Sequence, residues 1–410
     1  MSALAPAAGG AVAVLRVGVL FLAGLGAAAQ FAKFSVLFPA WQAAYPHAGA
    51  WLGFLVTLVS LTGLAFGLVA GMLVARIGFR RVLIWALLLG AAISTGQALL
   101  LPLPAMMALR AAEGLSHLAL VVAAPTLMAQ ISDDRMRPLA MTLWGTFFGT
   151  AFAAYALVGP GLLELGGLAA VQVSHAGWML AVALLVAWAL PADPAPARLP
   201  PGRVARPETP MTPGRILRRH GQAYGSPRLN AAALGWLFYT LTFVSVMTVL
   251  PPTFPEPARE GLSTIIPLAG IITSLTLGAL LLRRVAAVRV TLAGFAVSGA
   301  LALLLGASGG AGWAALALFA ALGLVQSGSF ALIPQINESA SDRALANGAM
   351  AQMGNLGNLV GTPILLAATG VLDLAGMVLF LVLAYGGGLL VHLLAARARA
   401  RQAGPLAAPG

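Results

Sequence analysis

The sequence predicts an all-α integral membrane protein: twelve transmembrane helices in two six-helix bundles, with both termini cytoplasmic. Three observations lead there. Of 410 residues, 60% are hydrophobic and 8% are charged, whereas a soluble globule carries about 25% charged residues. The apolar runs are each near the ~20 residues that a helix needs to span hydrocarbon, and they lack the alternation of a membrane barrel. The basic residues fall on one side of those runs.

Taken in order, the spans run roughly over 12–38, 50–74, 82–101, 105–130, 139–164, 168–190, 229–250, 262–282, 290–308, 312–334, 346–370 and 374–396. With a cytoplasmic N-terminus, every one of the 23 basic residues except Lys33, Arg110 and Arg259 falls on the inner side. That is the positive-inside bias in strong form. Trp41, Trp51, Trp178 and Trp313 fall near the outer ends, where interfacial aromatics belong. The first span has no charged segment ahead of a cleavable core, so it reads as a retained helix rather than a signal peptide.

One long polar stretch, 191–228, divides the chain. It holds seven arginines against Asp193 and Glu208, and its prolines keep 193–213 extended, while Gly214 to Tyr224 can form a short basic helix on the membrane surface. The expected organisation is a six-helix bundle over 1–190, a basic cytoplasmic linker over 191–228, a second bundle over 229–396 and a tail over 397–410. A net charge of +12 would suggest nucleic acid in a soluble protein; here the charge is placed in membrane-flanking loops, so no nucleic acid is expected. There is no cysteine, which excludes disulfides and thiolate metal sites.

The halves look like repeats. Arg76 and Arg284, Asp134-Arg135 and Asp342-Arg343, and Gly149 and Gly357 all stand 208 residues apart, which suggests duplication of a six-helix unit with a site between the two bundles near mid-membrane. Gly71-Met-Leu-Val-Ala-Arg76-Ile-Gly78-Phe-Arg80-Arg81 resembles the loop motif G-x-x-x-D-R-x-G-R-R/K of the major facilitator superfamily. Leu109-Arg110-Ala-Ala-Glu113-Gly114 is similar to that superfamily's fourth-helix motif R-x-x-Q-G. Two departures stand out: the motif aspartate is Ala75, and Glu113 stands where glutamine is frequent. Gly159-Pro160 resembles the antiporter motif G-P-x-x-G-G only in part, because Leu163-Glu164 replaces the final glycines. The resemblance implies the superfamily's fold, a gating role for Gly71, Arg76, Gly78, Arg80 and Arg81, and a cavity lined by the first, fourth, seventh and tenth helices. It further implies transport without ATP, commonly driven by protons.

Lys33 is the one lysine against 22 arginines, and it lies inside the first span. A cation there costs ~2.5–3.5 kcal/mol on insertion scales, so it faces a cavity, meets a partner or snorkels. Pro39 is six residues on, about 9 Å along a helix, within reach of the outer headgroups. Arg110, Glu113 and His117 project from one face of the fourth span. Glu113 either pairs with Arg110 or is left to titrate when a substrate anion takes the arginine, and His117 titrates near neutral pH in an ordinary setting. The second half offers polarity without charge: Tyr239 on the seventh span, Gln326 on the tenth, and Gln352 and Asn355 on the eleventh, where interleaved glycines read as close packing.

The expected function is alternating-access secondary transport at the inner membrane of a small organic anion, symported with protons and moved by a monomer without a cofactor. Lys33, Arg110, Gln30, Tyr239, Gln326, Gln352 and Asn355 are the candidate substrate residues, with Glu113 and His117 as proton carriers. Two cations at one depth call for an anion, since one acid neutralises one of them at most. A proton-driven exporter of hydrophobic or cationic compounds is the alternative, and a transporter-like sensor without flux is another class. Enzyme signatures are missing: Gly24-Leu-Gly26-Ala-Ala-Ala29 lies in an apolar span, with no strand before it.

Overall fold

The computed structural model describes residues 10–133, 135–193, 212–255 and 258–403; Asp134, Glu208 and the arginines at 198, 203 and 206 lie outside them. Every element among the described residues is helical. The first half comprises α1 (Gly10–Ser35), the short α2 (Phe38–Ala44) and α3 (Gly53–Thr57), α4 (Leu61–Ile77), α5 (Phe79–Gln97), α6 (Leu103–Ile131), α7 (Met136–Gly145) and α8 (Phe147–Ala189). The basic helix expected in the linker forms as α9 (Pro213–Gly225). The second half comprises α10 (Ala231–Val249), α11 (Ala258–Thr273), α12 (Ala279–Leu282), α13 (Ala287–Ala307), α14 (Gly312–Ile336) and α15 (Ala340–Ala403).

Ten of the described helical stretches are long and apolar enough to cross a membrane. Two of these exceed one crossing by far. The 43 residues of α8 and the 64 of α15 would extend about 65 and 96 Å as straight helices, against ~30 Å of hydrocarbon. Each is interrupted near its middle. In α8 the break is Gly166 and Gly167 (φ +64°, ψ −158°), a conformation open to glycine alone. In α15 it is Asp373, with φ +50°. The helix α15 also continues through Arg397, Arg399 and Arg401, into the stretch expected as the tail.

The expected second span, 50–74, is not one regular helix. Tight 3-10 turns at Gly49–Leu52 and Leu58–Ser60 flank α3 before α4 resumes. β-Branched Val56, Thr57 and Val59 crowd this stretch, and the Thr57 hydroxyl bonds back to the Gly53 carbonyl at 3.3 Å. One side chain from α6 takes carbonyls of this segment, as described below.

Three apolar cores hold the molecule. One lies inside the first half, around Leu20, Leu87, Met128 and Met179. A second packs α9 and the basic end of α10 and α15 against Leu68 and Val69 of α4. The third, at the opposite end, draws on both halves through Phe31, Phe34, Trp41, Phe152, Phe243 and Phe319. Trp41 belongs to this core rather than to the membrane interface: it is fully buried, stacked on Phe34 at 4.4 Å. Trp178 is exposed, its indole N–H donating to the Leu22 carbonyl of α1 at 3.2 Å. Outward-facing Trp85, Trp188 and Leu165 are exposed, as lipid contact requires.

Small residues bring the halves together. Gly63, Gly67 and Gly348 let α4 and α15 meet at Asn355, Gln352 and Leu68. Gly149 lies against Ile271 and the Pro267 carbonyl of α11, across the interface, whereas Gly357 packs on α10 within its own half. These two glycines share an offset in sequence but not a kind of partner.

Candidate functional site

Two arrangements share the centre of the molecule: a buried charge cluster inside the first half, and a cavity between the halves.

The cluster is built on four helices. Lys33 of α1 does not snorkel; its fully buried ammonium turns inward. Its three protons have three acceptors at 2.9 Å: Ser94 Oγ and Gln97 Oε1 of α5, and Glu113 Oε1 of α6. Arg110 reaches the second oxygen of the same carboxylate, Oε2, to which Gln97 Nε2 also donates at 2.8 Å. Its other two nitrogens, Nε and Nη2, donate to the carbonyls of Leu55 (2.5 Å) and Val56 (2.9 Å), in the broken segment around α3. Phe34 lies 4.2 Å from the guanidinium carbon, as a cation–π wall. Ser94 then donates to His175 Nδ1 of α8 at 2.7 Å, because His175 Nε2–H is committed to the Gly26 carbonyl at 3.1 Å.

Lys33, Arg110 and Glu113 are each fully buried. A buried ion pair is sustained when its polar atoms find further partners, and here every charged nitrogen and carboxylate oxygen has at least one. Glu113 bonds both cations, one per oxygen, while its single negative charge neutralises one of them. Three cluster members had no place in the sequence reading: Ser94, Gln97 and His175. A weak signal was present, since Ser94 and Gln97 stand three apart in an apolar span and so share a helix face.

The cavity lies beside this cluster, with a volume of about 230 Å³. Both halves line it. Trp144, Phe147 and Phe148 face Trp236, Tyr239, Phe243 and Phe319, with amides from Gln326, Asn347, Asn355 and Asn358. No lysine, arginine, aspartate or glutamate is in the lining among the described residues. Its lining reaches exposed Asn347, so it opens toward the end carrying Arg343. The other end is closed by the shared aromatic core and by a Ser35–Thr248 hydroxyl pair at 2.7 Å.

Of the residues expected at the site, Tyr239, Gln326, Asn355 and His117 line the cavity. Lys33, Arg110, Gln30, Gln352 and Glu113 do not. His117 does not join its face-mates Arg110 and Glu113. Its Nδ1–H donates toward the Ala27 carbonyl and Gln30 Oε1, at 3.1 and 3.2 Å, which leaves Nε2 as its second polar atom. Gln30 Nε2 donates to Ser116. Tyr239 donates to Gln326 at 3.3 Å, and Gln326 Nε2 to the Gly145 carbonyl of α7 at 2.9 Å, a tie across the halves. Gln352 also bridges the halves, donating to the Leu64 carbonyl of α4 at 2.7 Å.

The loop motif sits at the α4–α5 turn. Gly78 there has φ +107°, which a side chain rarely adopts. With Ala75 in place of the motif aspartate, the acid beside this turn comes from elsewhere: Asp193 accepts the backbone N–H groups of Arg80 (3.0 Å) and Arg81 (2.9 Å), capping α5. Arg80 Nη2 also holds the Ala187 carbonyl at 2.6 Å.

The family model of the Major Facilitator Superfamily matches residues 19–362. No curated protein matches the chain.

Proposed function

Since the chain belongs to the major facilitator superfamily, a family of membrane transporters, we propose that it is a proton-coupled secondary transporter moving a small organic solute by alternating access through the cavity between its halves. Twelve crossings, with α8 and α15 each crossing twice, and cytoplasmic termini at the inner membrane complete this reading. The observation that carries it is the lining: aromatic walls from both halves, hydrogen-bonding amides and, among the described residues, no lysine, arginine, aspartate or glutamate. Such a site favours a solute with a flat apolar face and a neutral hydrogen-bonding group. Rocking of the two halves would break the Ser35–Thr248 closure and rearrange the Gln326–Gly145 and Gln352–Leu64 ties between the halves, with the Arg76–Arg81 turn as part of the gate.

The charge cluster is the coupling device in this reading. Lys33 and Glu113 exchange a proton when the bundle moves, and Ser94 and His175 are the side chains positioned to pass it on, with His117 a separate carrier at the cavity wall. An organic anion is the second reading. One observation favours it: Lys33, Arg110 and Glu113 carry one surplus positive charge in a buried place.

The test is proton movement into proteoliposomes loaded with a pH dye, on adding aromatic amides, the matching carboxylates or lipophilic cations. We expect the amides to move protons, and Lys33→Met to abolish the signal. A response confined to carboxylates moves the assignment to the anion. A response to cations that survives Lys33→Met overturns the role given to the cluster.

A further inference from the structure

The linker helix α9 leaves a second cavity unexplained by transport. It has a volume of about 540 Å³, between α9 and the start of α15. Arg215, Arg218 and Arg219, at positions i, i+3 and i+4, present three guanidinium groups to it. Gln222 and Ser341 add neutral polar groups, and Asp342 is the one acid in the lining among the described residues. Arg218 and Arg219 by themselves outnumber that carboxylate, which leaves positive charge around a space large enough for a ligand. Arg218 and Arg219 have neither an ion pair nor a hydrogen bond among the described residues.

The opposite face of α9 fixes this arrangement in place. Ala223 is fully buried, packed with partly buried Ile216 and Tyr224 in the core that holds Leu345 and Ala349 of α15. Burial pushes the Tyr224 phenol up to about 12, which keeps it a neutral donor. It donates to Gln352 Oε1 at 2.7 Å, and His220 Nε2 lies 3.2 Å from Gln352 Nε2. The helix is therefore docked, not loose. Leu217, by contrast, is 74% exposed beside the arginines.

Depth identifies the chemistry. The membrane-crossing stretches begin at Ala231 and Ser341, and the cavity is lined by Leu229, Ser341 and Leu345, at that same level. A basic amphipathic helix there meets the headgroup layer. Arginine presents a planar fork of donors matched to phosphate oxygens. We propose that the cavity between α9 and α15 binds a phosphate group, supplied by an anionic phospholipid headgroup or by a free phosphate. A ligand there would brace α9, and through Gln352 it would reach the Leu64 contact between the halves.

Native mass spectrometry of the full chain tests this, with phosphatidylglycerol, phosphatidylcholine and inorganic pyrophosphate titrated separately. For a lipid headgroup, phosphatidylglycerol binds in preference to phosphatidylcholine. That preference falls roughly 10- to 30-fold in Arg218→Gln/Arg219→Gln, from the loss of two surface cations. For a free phosphate, pyrophosphate shows the same loss and the two lipids are alike. Asp342→Asn removes the opposing carboxylate and tightens whichever probe binds, so a misfolded double variant would not shelter the proposal. Binding of every probe that is unchanged in both variants overturns it.

Discussion

At the scale of single residues, Glu113 decides the interior of the first half. Its two oxygens meet Lys33 and Arg110 separately, and Gln97 completes the second oxygen. Removing the shared partner leaves two buried cations, whereas removing one cation leaves a pair. Breaking a buried pair costs about 3–5 kcal/mol. We therefore expect Glu113→Gln to lower thermal stability in detergent by that order, and Lys33→Met to cost clearly less, since the Arg110–Glu113 bond survives. Equal losses, or the reverse order, would show that the carboxylate is not shared as described. Asp193 makes a related point. It supplies a carboxylate at the α4–α5 turn although it lies more than a hundred residues away, so Ala75 leaves the turn neither without an acid nor without a helix cap.

At the scale of elements, the long helices are organised by where they break. Gly167 holds φ +64° and ψ −158° inside α8, yet a Cβ built on it would meet nothing within 4 Å. The requirement is purely conformational. Gly167→Ala should cost about 1–3 kcal/mol from backbone strain alone, read as a drop in the thermal midpoint. Gly161→Ala in the regular part of the same helix, also with open space around its Cβ, should be neutral or mildly stabilising. If the two behave alike, the break at Gly167 is not what turns the chain. The irregular segment around α3 illustrates the complementary case. There the backbone departs from a helix and Arg110 occupies the carbonyls of Leu55 and Val56, which fixes Arg110 as part of the architecture of the first half.

At the scale of the whole molecule, the cavity is open toward Asn347 and closed beyond Phe243 and Phe319. The chain has no cysteine, so a single introduced thiol reports access without a background. Asn347→Cys should react with a membrane-impermeant maleimide from the side bearing the basic loops. Thr248→Cys, at a fully buried position in the closed end, should react from neither side in the resting protein. Labelling of Asn347→Cys from the opposite side would reverse the orientation drawn from the positive-inside bias. Labelling of both positions would mean that the two ends are not alternately closed.

The sequence by itself determined that this is a helical membrane protein of the superfamily, divided by a basic linker that contains an amphipathic helix. Those properties are written locally: apolar runs of spanning length, arginines clustered on one side, and two short motifs. It also singled out Lys33, Arg110 and Glu113, because an ionisable group within an apolar span is conspicuous in any order. Only the tertiary structure decided what those groups do with one another. Ser94, Gln97 and His175 arrive from α5 and α8, and no spacing along α1 or α6 reveals which polar residue of another helix shares their depth. The same holds for the cavity. Tyr239, Gln326 and Asn355 stand out as polar residues within apolar spans, but whether such a residue meets a space or a neighbour depends on how two whole bundles pack. Gln352 met a neighbour and Asn355 met the space, although they stand three residues apart on one helix.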